Sequence, residues 1–123
     1  MILADSNIVI YVTSGQHPQL TQWFLDNAPS ISAVTLVEVL GYHKLKSAER
    51  QELEKFFSKL DVLYPSEEVF QKAIELRQQH AMSLGDALIA ATALRHDLSL
   101  ATHNAIDFGW IKALTILDPL VEK

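Results

Sequence analysis

Hydrophobic residues along this chain fall into short apolar runs that alternate with longer amphipathic segments. The apolar runs predict strands near residues 2–4, 31–33, 61–64, 98–102 and 115–117. The 3.6-residue pattern of the longer segments predicts helices near 17–27, 35–46, 47–59, 66–79 and 85–96. Strands separated by helices form a parallel sheet that is covered on both faces. The pattern therefore predicts a three-layer α/β/α domain with a central, mainly parallel sheet of four to five short strands.

Composition narrows the class of protein. A chain of 123 residues fits a single domain, 1–123. It contains no cysteine, which excludes thiolate metal sites and favours a cytoplasmic location. No uncharged apolar run reaches the ~20 residues of a membrane span, so no membrane partner is expected. The formal net charge of −5 disfavours nucleic-acid binding by charge alone, but it is compatible with a nucleic-acid enzyme whose acids hold cations.

Four acids lie beside apolar residues where strands end or helices begin: Asp5, Glu38, Asp86 and Asp107. Asp5 follows the first predicted strand, Glu38 lies early in the helix after the second, and Asp107 follows the fourth. Asp86 opens the most apolar helix. In open parallel sheets, ligands bind beyond the carboxyl ends of the strands. We therefore expect these acids to converge at that edge.

A purely structural interpretation exists for most of these acids. The segments 35–38 and 83–86 resemble capping boxes, in which a hydroxyl and an acid satisfy the first helical N–H groups. The segment 104–107 can likewise place an acid at the third position of a short helix. Asp5 is harder to explain in this way, because no clear helical pattern begins there.

Convergence of four acids requires a compensating charge. Two carboxylates about 4 Å apart repel by about 4 kcal/mol at an effective dielectric constant near 20. No Lys or Arg lies within three residues of Asp5, Glu38 or Asp86. Carboxylate oxygens without cysteine suit Mg²⁺ or Mn²⁺. One or two such ions can activate water against a phosphodiester.

Four sequence blocks resemble, in order and spacing, the motifs of PIN-domain ribonucleases, and particularly those of VapC-type toxins. The blocks are MILADSNIVIYV, ISAVTLVEVL, SLGDALIAATAL and LATHNAIDF. The resemblance implies a small α/β/α domain, Mg²⁺- or Mn²⁺-dependent RNA cleavage, a homodimer, and inhibition by a cognate antitoxin.

The resemblance also implies roles for individual residues. It assigns metal binding and catalysis to Asp5, Glu38, Asp86 and Asp107, and supporting positions to Ser6, Thr102 and Asn104. The first three acids match the most regular positions of the family, and the fourth matches a more variable one. His103 is a departure, since many relatives carry Arg there, and a neutral imidazole contributes little charge near pH 7.

Contacts with RNA are expected from Lys44, Lys46 and His103. The two lysines open the only clearly basic region, residues 43–59, whose local balance is five cations against three acids. The alternative is a solvated helix face with mixed charges. Trp110, which follows the fourth acid closely, can line the cleft or simply pack against the core.

Other functions are compatible with parts of the pattern. A haloacid-dehalogenase-type phosphatase also places Asp after its first strand but needs a second Asp two residues later, where this chain has Asn7. A receiver domain needs Asp after its third strand, where this chain reads LYPSEE. The remaining alternative is a non-catalytic PIN-like protein that binds RNA or an antitoxin.

Overall fold

The computed structural model of the protein describes residues 1–121. Within them, the strands are β1 (Ile2–Ala4), β2 (Ser30–Ser32), β3 (Val62–Leu63), β4 (Ser99–Ala101) and β5 (Ile116–Leu117). The helices are α1 (Ser6–Thr13), α2 (Pro18–Asn27), α3 (Ala33–Leu40), α4 (Ser47–Phe57), α5 (Glu67–Gln79), α6 (Leu84–Arg95) and α7 (Ala105–Phe108). None of the helices in this part of the chain is long and apolar enough to cross a membrane.

The five strands form one sheet in the order β3-β2-β1-β4-β5, and every pairing is parallel. β1 lies at the centre, where Leu3 pairs with Ser30 of β2 on one side and with Leu100 of β4 on the other. All carboxyl ends therefore lie at the same edge. The predicted parallel sheet is confirmed.

Apolar side chains cover both faces of the sheet, because successive residues of a strand point to opposite sides. Leu3 belongs to a core cluster shared with α5 and α6, which includes Val69 and Ile89. Its neighbour Ala4 belongs to a second cluster, shared with α1 to α4, which includes Phe24. The result is the predicted three-layer α/β/α arrangement.

Helix α1 was not predicted, because the sequence shows no clear helical pattern after Asp5. The β-branched residues of this segment favour extended structure locally. In the fold, however, Ile8, Val9 and Val12 form one buried helical stripe, while Ile10 on the opposite side is 44% exposed. Packing against the sheet therefore overrides local propensity.

Several boundaries and caps also differ from the predicted ones. The third helix begins earlier than predicted and ends at Leu40, and its N-cap is Ser32, whose hydroxyl accepts a hydrogen bond from Val34 N. The helix predicted near 47–59 begins at Ser47 and ends at Phe57, slightly earlier than predicted. Ser66 is the N-cap of α5, and its hydroxyl accepts from the backbone N–H of Val69.

Candidate active site

Asp5 lies at the carboxyl end of β1 and is only 3% exposed. Its backbone N–H donates to the carbonyl of Ala101 at 2.9 Å, which fixes the end of β1 beside β4. The hydroxyl of Thr102 donates to Asp5 Oδ2 at 2.9 Å and accepts from the backbone N–H of Asn104 at 3.0 Å. A residue near the start of the chain is thus held in place by one that lies 97 positions later.

Glu38 reaches the same edge from the opposite side of β1. Its Oε1 atom accepts from Ser6 Oγ at 2.9 Å, and Ser6 Oγ lies 2.8 Å from the hydroxyl of Thr35. Since the proton of Ser6 is given to Glu38, Thr35 is the donor to Ser6. Thr35 is fully buried within α3 and does not cap it, so the predicted capping box at 35–38 is wrong.

Asp86 lies in the first turn of α6. The hydroxyl of Ser83 accepts from the backbone N–H of Asp86 at 3.1 Å, so the predicted cap at 83–86 does form. A Cβ atom at the preceding Gly85 would lie 3.2 Å from the carboxylate of Glu38. Glycine therefore allows the start of α6 to approach that carboxylate closely.

Asp107 lies in α7 and is exposed. Asn104 Nδ2 donates to Asp107 Oδ2 at 2.6 Å and makes no capping hydrogen bond to the helix backbone. The predicted N-cap at this position therefore lacks its side-chain contact, and the amide instead orients the carboxylate.

The electrostatic environment shows that these acids lie near one another. Burial raises the pKa of Asp5 from 3.8 to about 6, and the hydrogen bond from Thr102 opposes the rise. The negative charge of Asp86 raises this pKa further, a hydrogen bond from the backbone of Ser6 lowers it, and the charge of Glu38 raises it again. Three acids from three different segments thus interact at one edge of the sheet.

Asp86 connects this group to the fourth acid. Burial raises the pKa of Asp86, a hydrogen bond with Ser83 opposes that rise, and the charge of Asp107 adds to it. The four acids therefore form a chain of repelling neighbours from Glu38 and Asp5 through Asp86 to Asp107.

The composition of the cluster fits a hard divalent cation. Among residues 1–121, the ion pairs involve other acids, and none includes Asp5, Glu38, Asp86 or Asp107. Oxygen ligands without nitrogen or sulfur suit Mg²⁺ or Mn²⁺. No three acidic or histidine side chains of the described part are close enough to form a ready-made metal cage. The arrangement of these acids is therefore open.

The residues expected to contact RNA all lie on the surface of the protein. Lys44 and Lys46 are exposed in the loop between α3 and α4, and neither takes part in an ion pair among residues 1–121. His103 is exposed, and its Nδ1 atom lies 2.9 Å from Asp118 Oδ2. Asp118 thus offsets the charge of His103 when the imidazole is protonated.

A groove of about 810 Å³ lies beside Glu38, between α1, α3 and α4. Its walls are mainly apolar and include Ile10 and Tyr42, which are each about half exposed. Glu49 and Glu52 lie on its α4 side. The groove therefore combines apolar surface with negative charge.

Sequence reasoning missed two residues that shape this site. Thr35 resembles a capping residue in the sequence, but in the structure it supports the Ser6 hydroxyl that holds Glu38. Gly85 lies within the quoted block SLGDALIAATAL, and a glycine in the first turn of a helix, beside a candidate acid, was the available signal.

Comparisons with known proteins match residues 2–109 to the PIN domain. Ribonuclease VapC10 of Mycobacterium tuberculosis (strain CDC 1551 / Oshkosh) is 32% identical over 123 residues, covering 93% of this chain and 90% of that protein. A chain of a toxin-antitoxin complex from Klebsiella pneumoniae is 30% identical, with a TM-score of 0.83 and coverage of 99% and 100%. A chain of DNA-bound VapBC from Salmonella typhimurium shares the fold, with a TM-score of 0.85, 23% identity and coverage of 96% and 97%.

This chain belongs to the PIN-domain family, because the match covers most of its length. Within that family it is similar to Ribonuclease VapC10 along nearly the whole chain. The resemblance to VapC-type proteins that the four sequence blocks indicated is therefore confirmed.

Proposed function

We propose that this protein is a divalent-metal-dependent endoribonuclease of the cytoplasm and the toxin of a toxin–antitoxin pair. The observation that carries the proposal is the interaction of Asp5, Glu38 and Asp86 at one edge of the sheet, with none of them in an ion pair within the described residues. The similarity to Ribonuclease VapC10 supports RNA as the substrate.

The acids would hold one or two Mg²⁺ or Mn²⁺ ions, with Asp5, Glu38 and Asp86 as the main ligands and Asp107 completing the site. When bound, such an ion lowers the pKa of a coordinated water and neutralises charge on the scissile phosphate. By family likeness, the products carry a 5′-phosphate and a 3′-hydroxyl.

The supporting residues orient the carboxylates before substrate arrives. The hydroxyl of Thr102 fixes Oδ2 of Asp5, and Ser6 fixes Oε1 of Glu38. Asn104 holds Asp107 in the same way. Fixed ligands need little reorganisation during the reaction, which is a general source of catalytic rate.

Conservative substitution of the acids tests the nuclease proposal. Asp5→Asn and Asp86→Asn should each abolish Mn²⁺-dependent RNA cleavage while the protein stays folded, because each removes a charged ligand and keeps its shape. Asp26→Asn on the exposed side of α2 is the matched control and should cleave RNA as the wild type does. Sequencing RNA ends after expression of each variant identifies the cleaved bonds. Full activity of either site variant would refute the mechanism.

A non-catalytic PIN-like protein that binds RNA or an antitoxin is the second candidate, favoured by the open arrangement of the acids. Ion binding separates the two candidates, since a ligand stabilises the folded state that binds it. The enzyme should gain melting temperature with Mn²⁺, and the Asp5→Asn/Asp86→Asn double variant should lose that gain. A wild type whose melting temperature does not respond to Mn²⁺ would support the non-catalytic alternative.

The groove beside Glu38 is the surface that we assign to the antitoxin. Its apolar walls suit an amphipathic helix, and Glu49 and Glu52 favour basic residues on that partner. A partner seated there would also approach Glu38 and block the site. Tyr42→Glu should release the antitoxin without affecting RNA cleavage, and undiminished inhibition of this variant would exclude the groove.

Self-association is assigned to the outer face of α5 and the start of α6. Phe70, Ile74 and Leu84 are each at least half exposed there, beside a depression of about 500 Å³. Exposed apolar clusters of this kind mark association sites in soluble proteins. Ile74→Glu should convert a homodimer to a monomer in light scattering, whereas Gln71→Glu, which adds the same charge on α5 outside this depression, should not.

A further inference from the structure

The side chains of His80 and Trp110 form a stacked pair at the edge of the candidate active site. Their ring centroids lie 4.7 Å apart, and the ring planes differ by 11°. His80 is the C-cap residue of α5, and Trp110 follows α7. Two residues that are 30 positions apart thus make one flat aromatic surface.

This pair connects the segments that carry two of the acids. The indole Nε1–H of Trp110 donates to the backbone carbonyl of Asp107 at 3.1 Å. His80 precedes, by three residues, the Ser83 hydroxyl that accepts from the backbone of Asp86. The stack therefore joins the segment that precedes Asp86 to the segment that follows Asp107.

The exposed imidazole is held in a fixed orientation. Trp110 is half-buried and packs against the core, so it forms a rigid backing for the outer ring. His80 Nδ1 lies 2.8 Å from the carbonyl oxygen of Ala81, which fixes the ring plane. His80 itself is exposed. An aromatic surface that is already ordered loses little conformational entropy when a ligand stacks on it.

We propose that the outer face of His80, backed by Trp110, binds one nucleobase of single-stranded RNA beside the scissile phosphate. Single-stranded RNA is commonly bound by stacking its bases on aromatic side chains, including histidine. Such stacking needs no cation, which suits a protein with a net charge of −5. This inference rests on the proposed nuclease function.

RNA affinity tests the proposal directly. A fluorescein-labelled eight-nucleotide RNA is titrated with the full-length protein in Ca²⁺, and its anisotropy gives the Kd. His80→Ala should weaken binding about 5- to 100-fold, the loss of one stacked base, and His80→Phe should restore it. His96→Ala is the matched control, because His96 is the exposed C-cap residue of α6, and its Kd should stay that of the wild type.

A nuclear magnetic resonance titration of the wild type provides a second measurement that needs no substitution. A base that stacks on His80 shifts its imidazole protons upfield, and an RNA with abasic nucleotides should not. A His80→Ala Kd within twofold of the wild-type value, or imidazole protons that do not move, would overturn the assignment and leave His80 as a helix cap. Undetectable RNA binding by the wild type would overturn it as well.

Cleavage assays keep this inference separate from the proposed function. His80→Ala should raise KM while leaving kcat unchanged, since the ring does not touch the acids. If the wild type cleaves RNA and Asp5→Asn does not, while His80→Ala has a normal KM, only the base-binding role is wrong. Stacking on His80 in a protein that cleaves no RNA would instead refute the nuclease proposal.

Discussion

The buried carboxylate of Asp5 should destabilise the ion-free protein at neutral pH. Its pKa rises from 3.8 to about 6 on folding, because burial and two neighbouring acids disfavour the charged form. This rise in the pKa of Asp5 corresponds to about 3 kcal/mol of folding free energy. Asp5→Asn removes the charge, and its oxygen can still accept from Thr102. The new amide group lacks an assigned acceptor, which costs about 1 kcal/mol.

The variant should therefore be more stable than the wild type in EDTA at pH 7.5, by about 2 kcal/mol. For a chain of 123 residues, this corresponds to a rise in Tm of about 5–10 °C. Mn²⁺ should reverse the order, because the wild type gains stability from ion binding that the variant loses. Differential scanning calorimetry at one protein concentration measures both effects.

The effect of pH on the stability of the ion-free protein has a defined direction. Because the pKa of Asp5 is higher in the folded state, the folded protein binds the extra proton between pH 3.8 and about 6. The stability that protonated Asp5 contributes is fully present below pH 3.8 and is lost as the pH rises through about 6. The advantage of Asp5→Asn should consequently shrink as the pH falls from 7.5 to 4.5.

A matched exposed acid controls for the loss of net charge. Asp26→Asn changes the charge equally, but on the solvent side of α2, and its Tm should stay close to that of the wild type. A lower Tm for Asp5→Asn than for the wild type in EDTA at pH 7.5 would refute the uncompensated charge on which the metal site depends.

Three further substitutions probe the surroundings of the acids. Gly85→Ala should place a methyl group 3.2 Å from the Glu38 carboxylate and lower the rate of RNA cleavage at least about tenfold. The Tm should not fall, because alanine favours helix over glycine by up to about 1 kcal/mol. A normal kcat/KM would show that the Glu38 carboxylate moves freely. Thr35→Val removes the buried hydroxyl that supports the hydrogen bond from Ser6 to Glu38, so calorimetric titration should show weaker Mn²⁺ binding. An unchanged Mn²⁺ affinity would show that this hydroxyl is dispensable. Lys44→Ala combined with Lys46→Ala removes two cations and should reduce the log–log salt slope of RNA affinity by about 1.4. An unchanged slope would favour a solvated surface.

Most of the fold follows from local patterns, and the main exception has a physical cause. The helix α6 is apolar nearly all round, which predicts a central helix, and all but its ends are buried. The segment of α1 contains residues that favour strands, and it is helical because its apolar side packs against the sheet. The start of α3 differs from the predicted one because Ser32 is the N-cap of this helix.

The sequence named the four candidate acids and the supporting residues Ser6, Thr102 and Asn104, but it did not predict which acid each supporting residue contacts. Each acid has a local signal, because a carboxylate beside apolar residues at the end of a strand is unusual. The hydrogen bonds from Ser6 to Glu38 and from Thr102 to Asp5 join residues 32 and 97 positions apart. Such pairings depend on strand order, as does the stacking of His80 on Trp110, and a single sequence contains no direct record of them.

The central position of β1 has a consequence for synthesis of the chain. β1 is paired on one side by β2, but its other partner, β4, follows β2, β3 and α6 in the chain and is therefore synthesised long after β1. A nascent chain that stops before Ser99 lacks the Thr102 hydroxyl that orients Asp5. In such a chain, β1 is an unpaired edge strand. The candidate site is therefore assembled only after β4 has emerged from the ribosome.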